Sequence, residues 1–492
     1  MKKSAFFPAA RLVVFILAGV MVNSCATNPV TGKKELMLLS ESQEIAMGAE
    51  SDPGIVASFG LFQDDKLQAF INEKGQQMAK ISHRPDLKYE FKILDSPVVN
   101  AFALPGGYVY FTRGILAYFN DEAQFAGVLG HETGHVTARH SARQYSKQLL
   151  AQGGLILGVV LSKEIAQYAD AASQGLGLLF LKFSRDNESE ADRLGVEYST
   201  KVGYNAHEMA DFFITLDRIS GGPEGRIPTF MSTHPDPADR NVKVEELATQ
   251  WQQQYPNSKN VGRDSYLRMI DGIIYGEDPK QGFVENDYFY HPELRFQFPV
   301  PTGWAVENTP QAVQMAPQDG KAALIMTLAQ GASLQAAADA ALKQYNMAVV
   351  SQQNTTVGNY PALAIVADIQ PDQTQQQAST TAAQQVRALL YFIQYNNNIY
   401  QFMGLSYQTD FSSYEPRFLN TMKNFRELTD QEKINRQPDR IHIKSVAQTG
   451  TLEQALKAYG TTSDKLEELA ILNGMQLNDQ VTKGMLIKTL GK

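Results

Sequence analysis

A chain of 492 residues is too long for one ordinary core and predicts two to four domains. Its 43% hydrophobic and 20% charged residues exclude a disordered or fibrous polymer, and a formal net charge of -8 offers no basic surface for nucleic acid. A single cysteine excludes an intrachain disulfide, so packing must hold the domains together even in an oxidising compartment.

The N-terminus carries Lys2, Lys3 and Arg11, then the apolar run "LVVFILAGVMV" (12–22), then "NSCATN". A charged start, a short apolar stretch and a small residue before a cleavage point form a secretory signal, and the run is too short to cross a bilayer comfortably. Cys25 falls where cleavage would occur. "VNSC" resembles a bacterial lipobox, which implies a lipoprotein signal peptide over 1–24 and lipid modification of Cys25. Ala26 is not the aspartate that typically retains such lipoproteins at the inner membrane. The resemblance therefore implies an anchor in the outer membrane, facing the periplasm. Residues 25–36, "CATNPVTGKKEL", are polar and turn-rich and read as a tether.

Helical periodicity starts at "LSESQEIAMGAE", with Ser40 or Ser42 as the cap. "LKYEFKILDS" (87–96) and "YVYFTRGIL" (108–116) read as strands, with an edge-like strand after "VVNAF" and a turn at "LPGG" between them. A helix is predicted across "NDEAQFAGVLGHETGHVTARHSARQYSKQLLAQ", capped by Asn120, with Asp121 and Glu122 in its first turn and Gly153–Gly154 at its far end. Residues 155–183 are apolar but divided by Lys163, Glu164 and Asp170, so they read as buried or covering helices rather than a membrane hairpin. A further helix covers about 184–201, closed by Gly203.

Past 270 the character changes. "AALIMTL", "ALAIVADI" and "VRALLYFIQYNNNIYQFMGLSY" are strands, "LQAAADAALKQYN" and "YEPRFLNTMKNFREL" helices, and "QPDQTQQQASTTAAQQ" (370–385) a surface loop. This α+β domain (285–430) resembles the PsbP/Mog-like sandwich. The last segment, 438–492, reads strand, helix, helix, strand, and resembles a LysM module, which implies peptidoglycan as a partner.

"GHETGHVTARH" (130–140) concentrates three of the chain's 8 histidines. Residues four apart share a helix face, so His131 and His135 present two imidazoles to one point, with Glu132 about 100° around the axis. Two neutral imidazoles can hold Zn²⁺ while the carboxylate reaches the attacking water. His140 lies nine residues past His131, on nearly the opposite face, which predicts a structural role. A catalytic zinc needs a third protein ligand. "FSRDNESEADRLG" offers Asp186, Glu188, Glu190 and Asp192, of which Glu188 and Asp192 share a face; periodicity alone does not choose among the acids. One acid can ligate while another holds a ligand imidazole by its second nitrogen. His83, His207, His291 and His442 show no metal spacing.

"GHETGHVTARH", "SRDNESEADRLG", "NAFALPGGYVYFTRGIL" and "STHPDPADR" occur in one order that resembles the HtpX/CAAX-prenyl-endopeptidase family of zinc metallopeptidases, and within it the bacterial envelope lipoprotein branch. The resemblance implies a mainly helical gluzincin domain with a small sheet over 37–270, one Zn²⁺ per chain, and Glu188 as third ligand with Asp192 behind it. It implies an edge strand at Asn100, Ala101 and Phe102 that pairs with an extended substrate. It sets His234 near the metal and Arg240 near the attacked carbonyl. In that reading Glu132 is the general base. His234 or Arg240 stabilises the oxyanion, or else His234 fills the metal's open position and keeps the enzyme latent. The implied substrates are unfolded or misassembled periplasmic and outer-membrane proteins, with envelope assembly proteins as partners. The competing reading is a chaperone-like or peptidoglycan-binding scaffold with a silent metal centre.

Overall fold

The computed structural model describes residues 25–147, 183–221, 230, 234, 240–370 and 385–492. The expected signal peptide at 1–24, most of the apolar stretch 155–183 and most of the expected surface loop at 370–385 lie outside the described residues. Two compact units emerge: Met1–Gly276 together with Asp439–Lys492, and Glu277–Pro438. Both mix helices and sheets, as α+β units do. Among the described residues, no helix is long and apolar enough to cross a membrane.

The first unit opens with β1 (Cys25–Thr27) and β2 (Lys34–Leu36), an antiparallel pair in which Cys25 faces Leu36. The polar segment 25–36, read as a tether, thus contains a short hairpin. Its turn forms because the buried Asn28 side chain accepts from Val30 N at 2.8 Å, and Glu35 is held by Arg143. Next come α1 (Glu41–Phe59) and α2 (Asp65–Ile81). Ser40 is the cap of α1, in a reciprocal capping box with Gln43. A three-stranded sheet follows, from β3 (Glu90–Leu94), β4 (Ala101–Leu104) and β5 (Tyr108–Thr112). Its order β3-β5-β4, parallel then antiparallel, leaves β4 on the edge.

After α3 (Arg113–Tyr118) come α4 (Glu122–Thr137), α5 (Arg185–Lys201), α6 (His207–Ser220), α7 (Arg240–Gln254), α8 (Arg263–Met269) and the short β6 (Ile274–Tyr275). Helix α4 departs from expectation at both ends. Its cap is Asp121, which accepts from Gln124 N at 2.7 Å, and it stops at Thr137 rather than running on toward 153. The cause is Arg139, held in the left-handed region at φ 57 by Glu44, 2.6 Å from its Nε. Helical turns resume over 140–147.

The second unit has short strands β7 (Phe283–Glu285), β8 (Tyr288–His291) and β9 (Phe296–Pro299), then β10 (Ala305–Asn308), β11 (Ala312–Ala316) and β12 (Ala322–Ala329). Helix α9 (Leu334–Gln344) precedes the long β13 (Met347–Val357), β14 (Tyr360–Ile369), β15 (Val386–Tyr395) and β16 (Asn398–Tyr407), and α10 (Phe411–Lys423) follows. The main sheet has seven strands in the order β10-β11-β12-β16-β15-β14-β13. Asn396 and Asn397, at φ 48 and 62, make the two-residue turn that joins β15 to β16 with the right twist.

The chain then returns to the first unit with β17 (Asp439–Ser445), α11 (Leu452–Ala458), α12 (Leu466–Leu472) and β18 (Leu486–Gly491). The strand, helix, helix, strand order matches the sequence reading. The separate 438–492 domain does not: this segment shares one apolar core with α2, β5, α4 and α6. Lys488 explains the fusion. It is fully buried and donates to the carbonyls of Ala117, Phe119 and Leu472 at 2.7–2.9 Å. Burial pulls its pKa well below the lysine range, while the three carbonyls supply one acceptor for each ammonium hydrogen.

Candidate metal centre

Helix α4 is buried from Ala123 to Thr137, and it reaches α5 closely because glycines line the contact. A Cβ on Gly130 would stand 2.9 Å from the Gly195 carbonyl oxygen, and one on Gly134 would stand 3.0 Å from Leu194 Cβ. That approach turns the shared face of His131 and His135 toward Glu188 and Asp192. Ser184 caps α5 by accepting from Asn187 N, which places Glu188 in its first turn.

Four buried side chains, His131, His135, Glu188 and His234, bring one donor atom each within 4.8 Å of the others. His131 Nε2 lies 3.0 Å from His135 Nε2 and 3.3 Å from His234 Nδ1. Glu188 Oε1 is 3.1 Å from His234 Nδ1 and 3.5 Å from His135 Nε2, and Oε2 is 3.5 Å from His131 Nε2. Bonds of about 2.0–2.1 Å to a tetrahedral zinc-type ion set donor–donor edges of about 3.3 Å. The observed edges fit that figure. His131 Nδ1 lies 2.9 Å from Asp192 Oδ1, a pair that puts the proton on Nδ1 and leaves Nε2 a lone pair. Lone pairs meeting at such distances repel unless a cation or proton sits among them.

The charge environment agrees. Burial opposes a charge on His131, yet hydrogen bonds to Asp192 and Glu188 outweigh it and lift its pKa to about 9. Burial drives His135 well below the usual imidazole value. It would raise Glu188 too, but the facing histidines, His234 foremost, hold that carboxylate well below its ordinary range. Glu132 is different. It is fully buried, and among the described residues neither of its oxygens has a hydrogen-bond donor. His234 Nε2, which has no hydrogen-bond partner among the described residues, stands 3.7 Å from Glu132 Oε1, and burial raises the Glu132 pKa.

Of the four acids that periodicity left open, Asp186 is exposed and Glu188 enters the cluster. Arg240 grips Asp192 with two bonds, 2.8 Å from Nε and 2.6 Å from Nη2. The same Nη2 lies 3.3 Å from Glu188 Oε2, and the guanidinium stacks on Phe213 at 4.2 Å. Arg240 thus sits behind the donors, joined to Asp192 and Glu188. Asn100 precedes the edge strand β4, where Ala101 and Phe102 are buried. Phe230 N donates to the Val99 carbonyl at 3.3 Å, and Phe230 stacks on His234 at 4.6 Å. Cys25 lies in β1, apart from the cluster in the sequence and outside the donor set. Sequence reasoning missed two neighbours. Phe183 stacks on His135 at 4.2 Å, and His140 Nδ1 is 2.9 Å from His135 Nδ1. The second follows from the break at Arg139, for which no glycine or proline gives a signal.

Residues 65–248 match the model of Peptidase family M48. The chain is 29% identical over 254 residues to the "Beta-barrel assembly-enhancing protease" of Escherichia coli, a match covering 49% of this chain and 51% of that protein. It is 28% identical over 221 residues to the "Mitochondrial metalloendopeptidase OMA1" of Schizosaccharomyces pombe, covering 44% of this chain and 65% of that one. The chain spans about half the length of the β-barrel assembly relatives it matches. Among solved structures, the cyanobacterial PsbP of Synechocystis aligns with 28% of this chain and 91% of its own at 8% identity, with a TM-score of 0.23.

Proposed function

We propose that this chain, whose residues 65–248 belong to the metallopeptidases of family M48, is a zinc-dependent endopeptidase of the bacterial envelope that acts on unfolded or misassembled periplasmic and outer-membrane proteins. The observation that carries the catalytic part is the convergence of two imidazoles four residues apart with Glu188, beside a buried carboxylate that lacks a hydrogen-bond donor among the described residues. The envelope assignment draws on the relatives named for β-barrel assembly and on the lipobox-like "VNSC". In this reading Cys25 carries the lipid anchor at the outer membrane, and 439–492 contributes a LysM-like surface for peptidoglycan.

His131, His135 and Glu188 would hold the ion. Zn²⁺ there supplies a Lewis acid that polarises the scissile carbonyl and makes water easier to deprotonate. Glu132 takes the proton from the attacking water, its raised pKa suiting it to hold that proton, and then delivers it to the leaving amine nitrogen. An extended substrate would add to the β4 edge at Asn100, Ala101 and Phe102 by main-chain pairing. Asp192 keeps the His131 ring in the tautomer whose Nε2 is free to bind, and Arg240 steadies Asp192. This commitment favours a positioning role for Arg240 over direct oxyanion contact.

His234 decides between activity and latency. Its Nδ1 faces the same point as the other donors, which supports a fourth ligand that fills the position substrate needs. Replacing His234 by alanine should then raise proteolysis, whereas an oxyanion role demands a fall. The function itself is tested by metal content and casein cleavage in wild type and Glu132→Gln. The variant should keep about one zinc per chain and lose about 10²–10⁴ in rate. Equal rates would remove Glu132 from the chemistry, and an absence of both zinc and cleavage would favour the scaffold reading.

A further inference from the structure

The reversal after Thr137 puts an imidazole where a continuous helix would leave none. Ala138 and the left-handed Arg139 turn the chain, and Arg139 is pinned by Glu44 and by the Leu39 carbonyl, 3.2 Å from Nη2. His140, fully buried, is thereby folded back over α4 with its ring 4.9 Å from that of His135. Its Nδ1 is 2.9 Å from His135 Nδ1, and its Nε2 is 3.1 Å from Glu190 Oε2. Arg143 Nη2 stands 3.8 Å from that same oxygen.

These contacts fix the direction of every proton along the row. A carboxylate only accepts, so His140 Nε2 carries the hydrogen and His140 Nδ1 is a lone pair. The His135 Nδ1 facing it must then be the donor. What remains on His135 is an Nε2 lone pair, the atom 3.0 Å from His131 Nε2 and 3.5 Å from Glu188 Oε1.

We propose that His140 and Glu190 form a positioning relay that holds His135 in its metal-binding tautomer and orientation. It mirrors Asp192 and Arg240 behind His131, with one difference. His131 meets its carboxylate directly, whereas His135 reaches its own through a second imidazole. His140 does not touch the donor point and is not a ligand. The inference rests on the zinc reading above, and outer contacts of this kind typically contribute about 10–100-fold in metal affinity.

The test is zinc affinity of the whole protein, measured by competition with a chromophoric chelator, with the melting temperature of each metal-free variant recorded alongside. His140→Ala should weaken Zn²⁺ binding about 10–100-fold. His140→Asn keeps an acceptor oxygen close to where Nδ1 stood, and should recover most of that loss. Glu190→Ala should weaken binding several-fold in the wild-type background and add nothing in the His140→Asn protein, because its effect passes through the imidazole. His131→Ala is the control and should abolish tight binding. Wild-type affinity in His140→Ala or Glu190→Ala, with binding lost in His131→Ala, overturns the relay and leaves the zinc site standing. Wild-type affinity in His131→Ala overturns the zinc reading itself. Should His140→Ala not fold, His140→Asn and Glu190→Ala decide alone: additive losses count against the relay.

Discussion

The segments 277–438 and 439–492 follow each other in the chain but stand in opposite relations to the metallopeptidase domain. The first builds its own interior: Phe296, Phe298, Tyr400, Phe402 and Phe425 pack together within it. The second has no complete interior of its own, and Ile441, Leu456, Leu469 and Ile487 share the core that holds Phe125 and Leu194. The junction explains how both are possible. Tyr275 pairs with Asp439 and Ile274 with Arg440, so the first unit's chain breaks off and resumes on paired strand residues. Arg263 and Arg218 add hydrogen bonds to the Leu486 and Met475 carbonyls, and Gly272 N donates to Ile441 O. A segment that looks like an appendage in sequence is thus part of the catalytic unit, while the longer one before it is an insertion.

The largest expected effect comes from truncating after Pro438. The first unit should then lose its cooperative unfolding transition and its zinc, as followed by calorimetry and metal analysis; a folded, metal-bound remainder would make 439–492 the appendage. Next is Lys488→Met, which leaves three buried carbonyls unpaired and should cost roughly 2–4 kcal/mol in urea unfolding. A third effect turns on Asp121, whose carboxyl burial pushes up to about 7. A carboxyl raised on folding stabilises fully below its unfolded pKa and loses that contribution as pH rises through 7. Stability should fall by roughly 1 kcal/mol between pH 6 and 8 from this group, and Asp121→Asn, which still caps α4, should flatten the slope. Equal slopes in the two proteins would count against it. The smallest effect belongs to the insertion. Replacing 277–438 by a short turn between Gly276 and Asp439 should leave zinc binding intact and shift the melting of the first unit by only a few degrees.

The difference between the two segments also marks where sequence stops being informative. His131 and His135 were legible because a helix repeats every 3.6 residues and puts them on one face, whereas Glu188 was singled out among four neighbouring acids only by the family resemblance. Helix α5 was legible almost to the residue, since Ser184 and Gly203 punctuate it. The end of α4 was not. Arg139 enters the left-handed region because of Glu44, far away in sequence, and that contact converts His140 from a far-face residue to a neighbour of His135. The docking of 439–492 was hidden for a similar reason: "LIKTL" reads as a strand with an ordinary lysine until the carbonyls of Ala117 and Phe119 are brought to it. The hairpin at 25–36 likewise depends on a distant partner, Arg143.

His131, His135, Glu188 and His234 would surround one ion, three of them through imidazole nitrogen. X-ray absorption at the zinc edge, recorded on wild type and on His234→Ala, addresses that arrangement most directly. The account predicts three histidine nitrogens and a carboxylate oxygen at about 2.0–2.1 Å, falling to two histidines in the variant. A spectrum without histidine scattering, or one the substitution leaves unchanged, would contradict it.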